Sequence, residues 1–250
     1  MPSPPTPDEP VHLGEPADRP AVLQSHFDIE LDSVRRRIGD EATSAVGMLD
    51  AALGALWNLD TAAASEILKG DDRIDSEEVA IEEATFRLMT LRQPVAKSFR
   101  MLAFILKANA DIERVGDHAC SIAKIVFKLA DQPRPLPSWP TSLVELGQRV
   151  PIVCHTLLRA LIDEDAATAR SIVLGDDTID RLARQLFDET VIMMRSSAAH
   201  HAAGLLIFRV GRELERVGDL MTNIAEDIVY LVTGEIIRHE KKRLRAAQGR

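Results

Sequence analysis

The chain has 250 residues, a formal net charge of −9 at pH 7, and only 4% aromatic residues. The negative charge argues against nonspecific binding to nucleic acid. Scarce aromatic residues and abundant alanine, leucine, glutamate and arginine favour helix over sheet, so the sequence predicts an all-α protein. Its two cysteines suit a reducing cytosol better than a disulfide scaffold.

The first predicted element is a proline-rich arm over residues 1–22, which has too little apolar surface to fold. Apolar residues then recur at helical spacing and predict three helices, over residues 26–57, 61–92 and 94–130. Asp60 is the expected N-cap of the second helix. Pro94 separates the second helix from the third, because proline interrupts helical hydrogen bonding. No stretch approaches the 18 apolar residues that a membrane span needs.

A second proline-rich segment, residues 132–140, predicts a linker. The helical pattern then returns and predicts three more helices, over residues 141–162, 165–195 and 199–233. We therefore expect a tandem of two antiparallel three-helix bundles joined end to end. The first bundle is expected over residues 23–131 and the second over residues 141–240, followed by a basic tail over residues 241–250.

The motif that relates the two halves is a duplicated pentapeptide. Glu-Arg-Val-Gly-Asp occupies residues 113–117 and again residues 215–219. An earlier signature, Gly-Asp-Asp-Xaa-Ile-Asp, occupies residues 70–75 and again residues 175–180. The chain therefore contains two copies of a unit of roughly one hundred residues. Each signature carries two acidic residues four positions apart, which lie on one face of a helix and repel each other.

The position of the turns predicts where these acidic pairs meet. The second and third helices of the first half are joined by a turn at Pro94, and those of the second half by a turn at residues 196–198. In each half, the two acidic pairs lie about equally far from that turn, one on each helix. Such positions lie side by side in an antiparallel hairpin. Each half should then gather four carboxylates: Asp71, Asp75, Glu113 and Asp117 in the first, and Asp176, Asp180, Glu215 and Asp219 in the second.

Four carboxylates in one patch favour a site for a hard cation, because without a cation they would repel one another or have raised pKa values. Gly116 and Gly218 support close helix packing, since glycine inside a helix is otherwise unfavourable. Asn223 and Glu226 are further candidate ligands, whereas the first copy has Lys124 in the place of Glu226. We therefore expect tighter metal binding in the second half.

One alternative to a metal site and one alternative function remain. The acidic residues could be solvated and paired with neighbouring arginines, namely Arg73, Arg114, Arg181 or Arg216. The protein could also be a metal-dependent hydrolase on a helical scaffold, which needs a general base beside the carboxylates. No histidine, lysine or tyrosine occupies such a place in both halves. We therefore assign no catalytic residue and expect a protein that is not an enzyme.

Three other residues are interpreted as structural. His118 follows the first pentapeptide, but the second copy has Leu220 at that position, so His118 is predicted to be a surface or packing residue. Cys120 and Cys154 lack metal-type spacing and are predicted to be small core residues.

Taken together, these residues resemble the PhoU family of bacterial phosphate-uptake regulators. The resemblance spans about residues 24–240 and rests on both pentapeptides and on three shorter stretches, residues 24–31, 79–84 and 92–94. It implies a tandem of three-helix bundles. It also implies that the paired acidic motifs named above bind metal ions, with iron, zinc, manganese and magnesium as candidates.

The resemblance further implies regulation rather than catalysis. PhoU-like proteins are cytoplasmic and link the ATPase of the phosphate-specific ABC transporter to a sensor histidine kinase, which they keep quiet when phosphate is plentiful. We accordingly expect those two partners, a homodimer, and at most peripheral membrane contact. An accessory role for a non-ABC phosphate carrier is the alternative within the family. The N-terminal arm has no counterpart in the family pattern.

Overall fold

The computed structural model describes residues 21–175 and 177–237, with side chains from residue 26 onward. The helices are α1 Ala21–Asn58, α2 Thr61–Arg92, α3 Ala96–Ala130, α4 Thr141–Ile162, α5 Ala166–Gly175, α6 Asp177–Ser196 and α7 His201–Thr233. Residues 1–20 of the predicted arm, the basic tail and Asp176 lie outside the described residues. The helix α1 begins at Ala21, before the expected start at residue 26.

The predicted helix boundaries agree with the capping seen in the structure. Asp60 caps α2, because its Oδ1 accepts hydrogen bonds from the backbone N–H groups of Ala62 at 2.9 Å and Ala63 at 3.0 Å. The segment 131–140 between α3 and α4 contains no helix, as expected for a proline-rich linker. Between α6 and α7, Ser197 caps a short 3₁₀ turn, so the predicted turn is also confirmed.

The seven helices form two three-helix bundles. Unit one consists of α1, α2 and α3, and unit two of α4, α7 and the pair α5 and α6, which together take the place of the second helix. No strand is present within residues 21–175 and 177–237, so the all-α prediction is confirmed. None of the described helices is long and apolar enough to cross a membrane.

The expectation that the bundles join end to end is wrong, because they lie side by side. Helices α3 and α7 pack along each other in opposite directions, and α1 also packs against α4. Two ion pairs fix the antiparallel register of α3 and α7. Lys107 Nζ lies 2.9 Å from Asp227 Oδ1, and His118 Nδ1 lies 2.7 Å from Glu213 Oε2.

Burial of apolar surface explains the side-by-side arrangement. Besides the stripe that packs inside its own bundle, each third helix carries apolar residues that only the other bundle can cover. Ile112 and Val115 of α3 meet Met221 and Ile224 of α7 around a small apolar cavity. All four are buried, and they belong to one continuous core that spans both units.

Glycine permits close helix packing in unit two, and this leads to a stability prediction. A Cβ atom added at Gly218 would lie 3.0 Å from Ile179 Cδ1 and 3.2 Å from Ile179 Cγ2. Because the χ1 angle of a β-branched residue is restricted in a helix, Ile179 Cγ2 has little room to rotate away. Gly218→Ala should therefore lower the free energy of unfolding by about 1–2 kcal/mol, despite alanine's higher helix propensity.

Gly54 in α1 provides the matched control for this substitution. A Cβ atom at Gly54 would meet nothing within 4 Å. Gly54→Ala should therefore raise the free energy of unfolding by up to about 1 kcal/mol. Urea denaturation of both variants tests the pair of expectations, and a stabilised Gly218→Ala would show that α6 and α7 are not closely packed there.

Candidate functional site

The acidic pairs are positioned by one packing contact in each unit. In unit one, Gly116 of α3 lies against Ile74 of α2, so that Asp75 is brought beside the first pentapeptide. In unit two, Gly218 of α7 lies against Ile179 of α6 in the same way. The absence of a side chain on each glycine lets the helices approach, which agrees with the predicted reason for these glycines.

The charges of the predicted carboxylates of unit one act on one another. Burial, followed by the nearby charge of Asp117, raises the pKa of Glu113 to about 7. Partial burial and the carboxylates of Asp71 and Asp117 also raise the pKa of Asp75. These effects require acids on α2 and α3 to lie close together, as the positions relative to Pro94 predicted.

Glu78 extends this patch by one helical turn. Its pKa is raised by burial and by the neighbouring carboxylates of Glu82 and Asp75. The sequence contained a signal for Glu78, because Asp71, Asp75 and Glu78 follow one face of α2 at steps of four and three. Glu78 lies outside the duplicated pairs and was therefore not predicted.

A second missed residue, Glu41 of α1, lies buried beneath the patch. Its side chain is 3% exposed, and neither carboxylate oxygen has a hydrogen-bond partner among the described residues. Burial, followed by the charges of Glu77 and Glu78, raises the pKa of Glu41 to about 8. Asn109 is also buried; its Nδ2 donates to the Glu78 backbone carbonyl at 2.8 Å, while its Oδ1 has no described partner.

Cys120 is a core residue, as predicted, but it also touches the acidic patch. Its Sγ lies 3.3 Å from Asp71 Oδ1 and donates a hydrogen bond to it. Burial and this carboxylate raise the pKa of the Cys120 thiol to about 12, so the group is a neutral thiol at physiological pH. Cys154 is fully buried between the bundles, as predicted for a core residue.

In unit two, one of the predicted acids has an arginine beside it. Glu215 forms an ion pair with Arg212, a residue outside the set of arginines considered from the sequence. Asp180 lies beside Ile179, at the contact with α7, and Asp219 is exposed. Asp176, the fourth predicted ligand, lies outside the described residues.

The two further candidate ligands of unit two have different surroundings. Asn223 is exposed on α7. Glu226 is half-buried and lines a pocket that also contains Lys107 of α3 and Tyr230. The positively charged side chain of Lys107 lies on the α3 side of that pocket, so Glu226 is next to a positive charge.

The donor chemistry of the unit-one patch fits a hard cation, since its acids are carboxylates whose mutual repulsion a cation would relieve. Within the described parts of the chain, however, no three Asp, Glu, His or Cys side chains are arranged around a common point that could hold a metal ion. The patch therefore brings the predicted ligands of α2 and α3 together without forming a ready-made coordination shell.

His118, predicted to be a surface or packing residue, has a specific partner that the sequence did not indicate. It is half-buried, and its bond to Glu213 links the two bundles. Burial alone would raise the pKa of Glu213, but the hydrogen bond and charge of His118 lower it below the ordinary value. Arg209 Nε lies 3.7 Å from the second carboxylate oxygen of Glu213.

The two pentapeptide copies face one another across α3 and α7. A surface cleft between these helices is lined equally by both copies, with Arg114, Asp117 and His118 on one side and Arg216, Asp219 and Leu220 on the other. The predicted acidic sites thus lie on either side of one cleft rather than at opposite ends of the molecule.

Comparison with known proteins decides the family. The family model described as PhoU domain matches residues 36–126 and residues 143–228, which lie in the two bundles. The chain belongs to the PhoU family. The two matches correspond to the two copies of the sequence repeat, so the duplication is a duplication of the PhoU domain.

Relatives and solved structures agree with this assignment. The chain is 36% identical over 169 residues to the phosphate-specific transport system accessory protein PhoU homolog of Deinococcus radiodurans, which covers 68% of this chain and 78% of that protein. It is 30% identical over 218 residues to the phosphate-specific transport system accessory protein PhoU of Escherichia coli, and the match covers 87% of this chain and 89% of that protein. The crystal structure of PhoU from Pseudomonas aeruginosa superimposes with a TM-score of 0.79 at 30% identity, covering 84% of this chain and 100% of that one.

Proposed function

We propose that this protein is a cytoplasmic regulator that couples the phosphate-specific ABC transporter to its sensor histidine kinase and restrains the phosphate-starvation response. The observation that carries the proposal is the PhoU-domain match over both bundles, together with relatives named as accessory proteins of the phosphate-specific transport system. A regulator of this kind acts by occupying its partners, so its effect should be stoichiometric and reversible.

The proposal includes metal binding by the paired acids of each unit. A cation bound at the unit-one patch would hold α2 and α3 together and fix the surface that a partner contacts, because uncompensated carboxylates repel one another. The residues that would hold it there are Asp71, Asp75, Glu113 and Asp117. In unit two they are Asp176, Asp180, Glu215 and Asp219, with Asn223 and Glu226 as further candidates.

The metal prediction is tested by elemental analysis of protein purified without chelator. Glu113→Ala/Asp117→Ala should lower the bound metal by about half, because one of two acidic patches is removed. Asp28→Ala/Asp32→Ala is the matched control, since these exposed acids of α1 have the same spacing but lie outside both patches. Equal metal content in wild type and in the Glu113/Asp117 variant would count against metal binding at this patch.

The partner prediction is tested by co-purification with the transporter ATPase and the histidine kinase. Glu215→Ala/Asp219→Ala should weaken capture of at least one partner while leaving the helical content unchanged. The Asp28/Asp32 control variant should capture both partners as the wild type does. If wild-type protein captures neither partner, the regulatory coupling proposed here is wrong.

A further inference from the structure

We propose that the cleft between the two pentapeptide copies binds a phosphate-bearing anion through Arg114 and Arg216. Arg114 and Arg216 occupy the same place in the two copies, and the antiparallel packing of α3 and α7 brings both to one cleft. Both side chains are exposed, so the cleft is open to a ligand.

The two guanidinium groups differ in their existing contacts. Arg114 Nη1 lies 3.1 Å from Asp111 Oδ1, in the turn before it on α3. For Arg216, the described residues provide no hydrogen bond and no ion pair within 4.0 Å, and its charge acts on buried Glu213 from a greater distance. A guanidinium group has five N–H donors, so both arginines retain donors for a ligand.

The chemistry of the two arginines favours a phosphate group as the ligand. Two like charges held at one cleft are stabilised by an anion between them. Planar guanidinium groups match the paired oxygens of phosphate and can bind them in a bidentate manner. A phosphate group carries enough oxygens for both arginines at once, whereas a single carboxylate would be shared between them. The repeat thus supplies one half of the anion site from each unit.

The acids at the same cleft limit its affinity and must be included. Asp117 and Asp219 line the cleft beside the two arginines, and the ion pair of His118 with Glu213 lies close by. In metal-free protein these carboxylates oppose anion binding. Cations held by the acidic patches would neutralise Asp117 and Asp219 and strengthen it. Only this enhancement rests on the proposed metal binding, because the arginine pair is present without metal.

The test is a titration of the full-length, chelator-treated protein with inorganic phosphate and with ATP, at constant ionic strength. Both ligands carry the phosphate group, so the two titrations distinguish free phosphate from a nucleotide as its source. Isothermal titration calorimetry should detect one anion per chain. Arg114→Gln and Arg216→Gln should each weaken binding by about tenfold, the loss of one charged hydrogen-bonding group.

Arg181→Gln is the matched control, because this exposed arginine of α6 carries the same charge but contacts Gln185 away from the cleft. It should leave binding unchanged. Equal loss in Arg181→Gln would show a nonspecific charge effect, and no binding by wild type would overturn the site. Binding that needs added Mn²⁺ and is unaffected by both cleft variants would assign the anion to the metal instead. None of these outcomes bears on the regulatory proposal, because that proposal is tested separately by co-purification with the partners.

Discussion

Glu41→Leu should raise the free energy of unfolding of the metal-free protein by roughly 3–5 kcal/mol at pH 9. Glu41 is a buried carboxylate without a hydrogen-bond partner among the described residues, and the residues that act on it include two further acids, Glu77 and Glu78. Arg37 offsets part of this repulsion but is held by its own bond to Glu77 at 2.6 Å. Removing the charge therefore removes the free-energy cost of burying a carboxylate that no partner fully compensates.

The sign of the pH dependence follows from the raised pKa of Glu41. In the folded protein that pKa is about 8, compared with an ordinary value of 4.5. Between these values the folded state holds a proton that the unfolded state has released, so the wild type loses stability as the pH rises through this range. The gain from Glu41→Leu should consequently be small near pH 5 and largest above pH 8.

Urea denaturation at pH 5, 7 and 9 measures this effect. Glu41→Gln separates the contribution of charge from that of packing, because it removes the charge and keeps the shape. Glu83→Leu on the exposed face of α2 is the control and should change stability by less than about 0.5 kcal/mol. A Glu41→Leu variant that is less stable than wild type at pH 9 would show that the carboxylate has a stabilising partner.

His118→Leu should have the second-largest effect, a loss of about 2–4 kcal/mol at pH 7. The substitution leaves Glu213, which is 7% exposed, with only the more distant Arg209 as a described ion-pair partner. Because the pKa of Glu213 is lowered in the folded protein, its stabilising contribution is present above pH 4.5 and is lost as the pH falls through the folded value.

A double variant tests whether the pair itself is responsible for this loss. Adding Glu213→Leu to His118→Leu removes the unpaired charge and should recover most of the stability, since apolar residues can replace a buried ion pair. His26→Leu serves as the control, because His26 is an exposed histidine of α1. If the His118→Leu variant has the same urea midpoint of unfolding as the wild type, the bond to Glu213 does not stabilise the packing of the bundles.

The hairpins of both units could be predicted from sequence because local signals determine them. Pro94 and the residues around Ser197 end helices by their own chemistry, and positions equidistant from a turn must then meet. This reasoning predicted that Asp75 lies beside Glu113, and the charge of Asp75 is among those that raise the pKa of Glu113 in the structure. It also explained Gly116 as a point of close approach, where an added Cβ atom would lie 3.2 Å from Ile74 Cδ1.

The side-by-side packing of the bundles and the environment of Glu41 could not be predicted in this way. The partner of His118 lies in the other unit, and no local pattern relates α3 to α7. Glu41 falls in line with Val34, Ile38 and Ala45 on α1, so its burial could have been inferred from helical spacing. A single acid in an apolar stripe is easily taken for a boundary residue, and the sequence analysis did not consider it.

The most direct test of the regulatory account is a phosphate-starvation promoter reporter in a strain that lacks this protein. With phosphate in excess, the account predicts that the reporter is strongly expressed in the deletion strain and becomes silent again when the wild-type chain is restored. The Asp28→Ala/Asp32→Ala variant should silence it as well, whereas Glu215→Ala/Asp219→Ala should do so incompletely. A reporter that stays silent in the deletion strain at high phosphate would contradict the account.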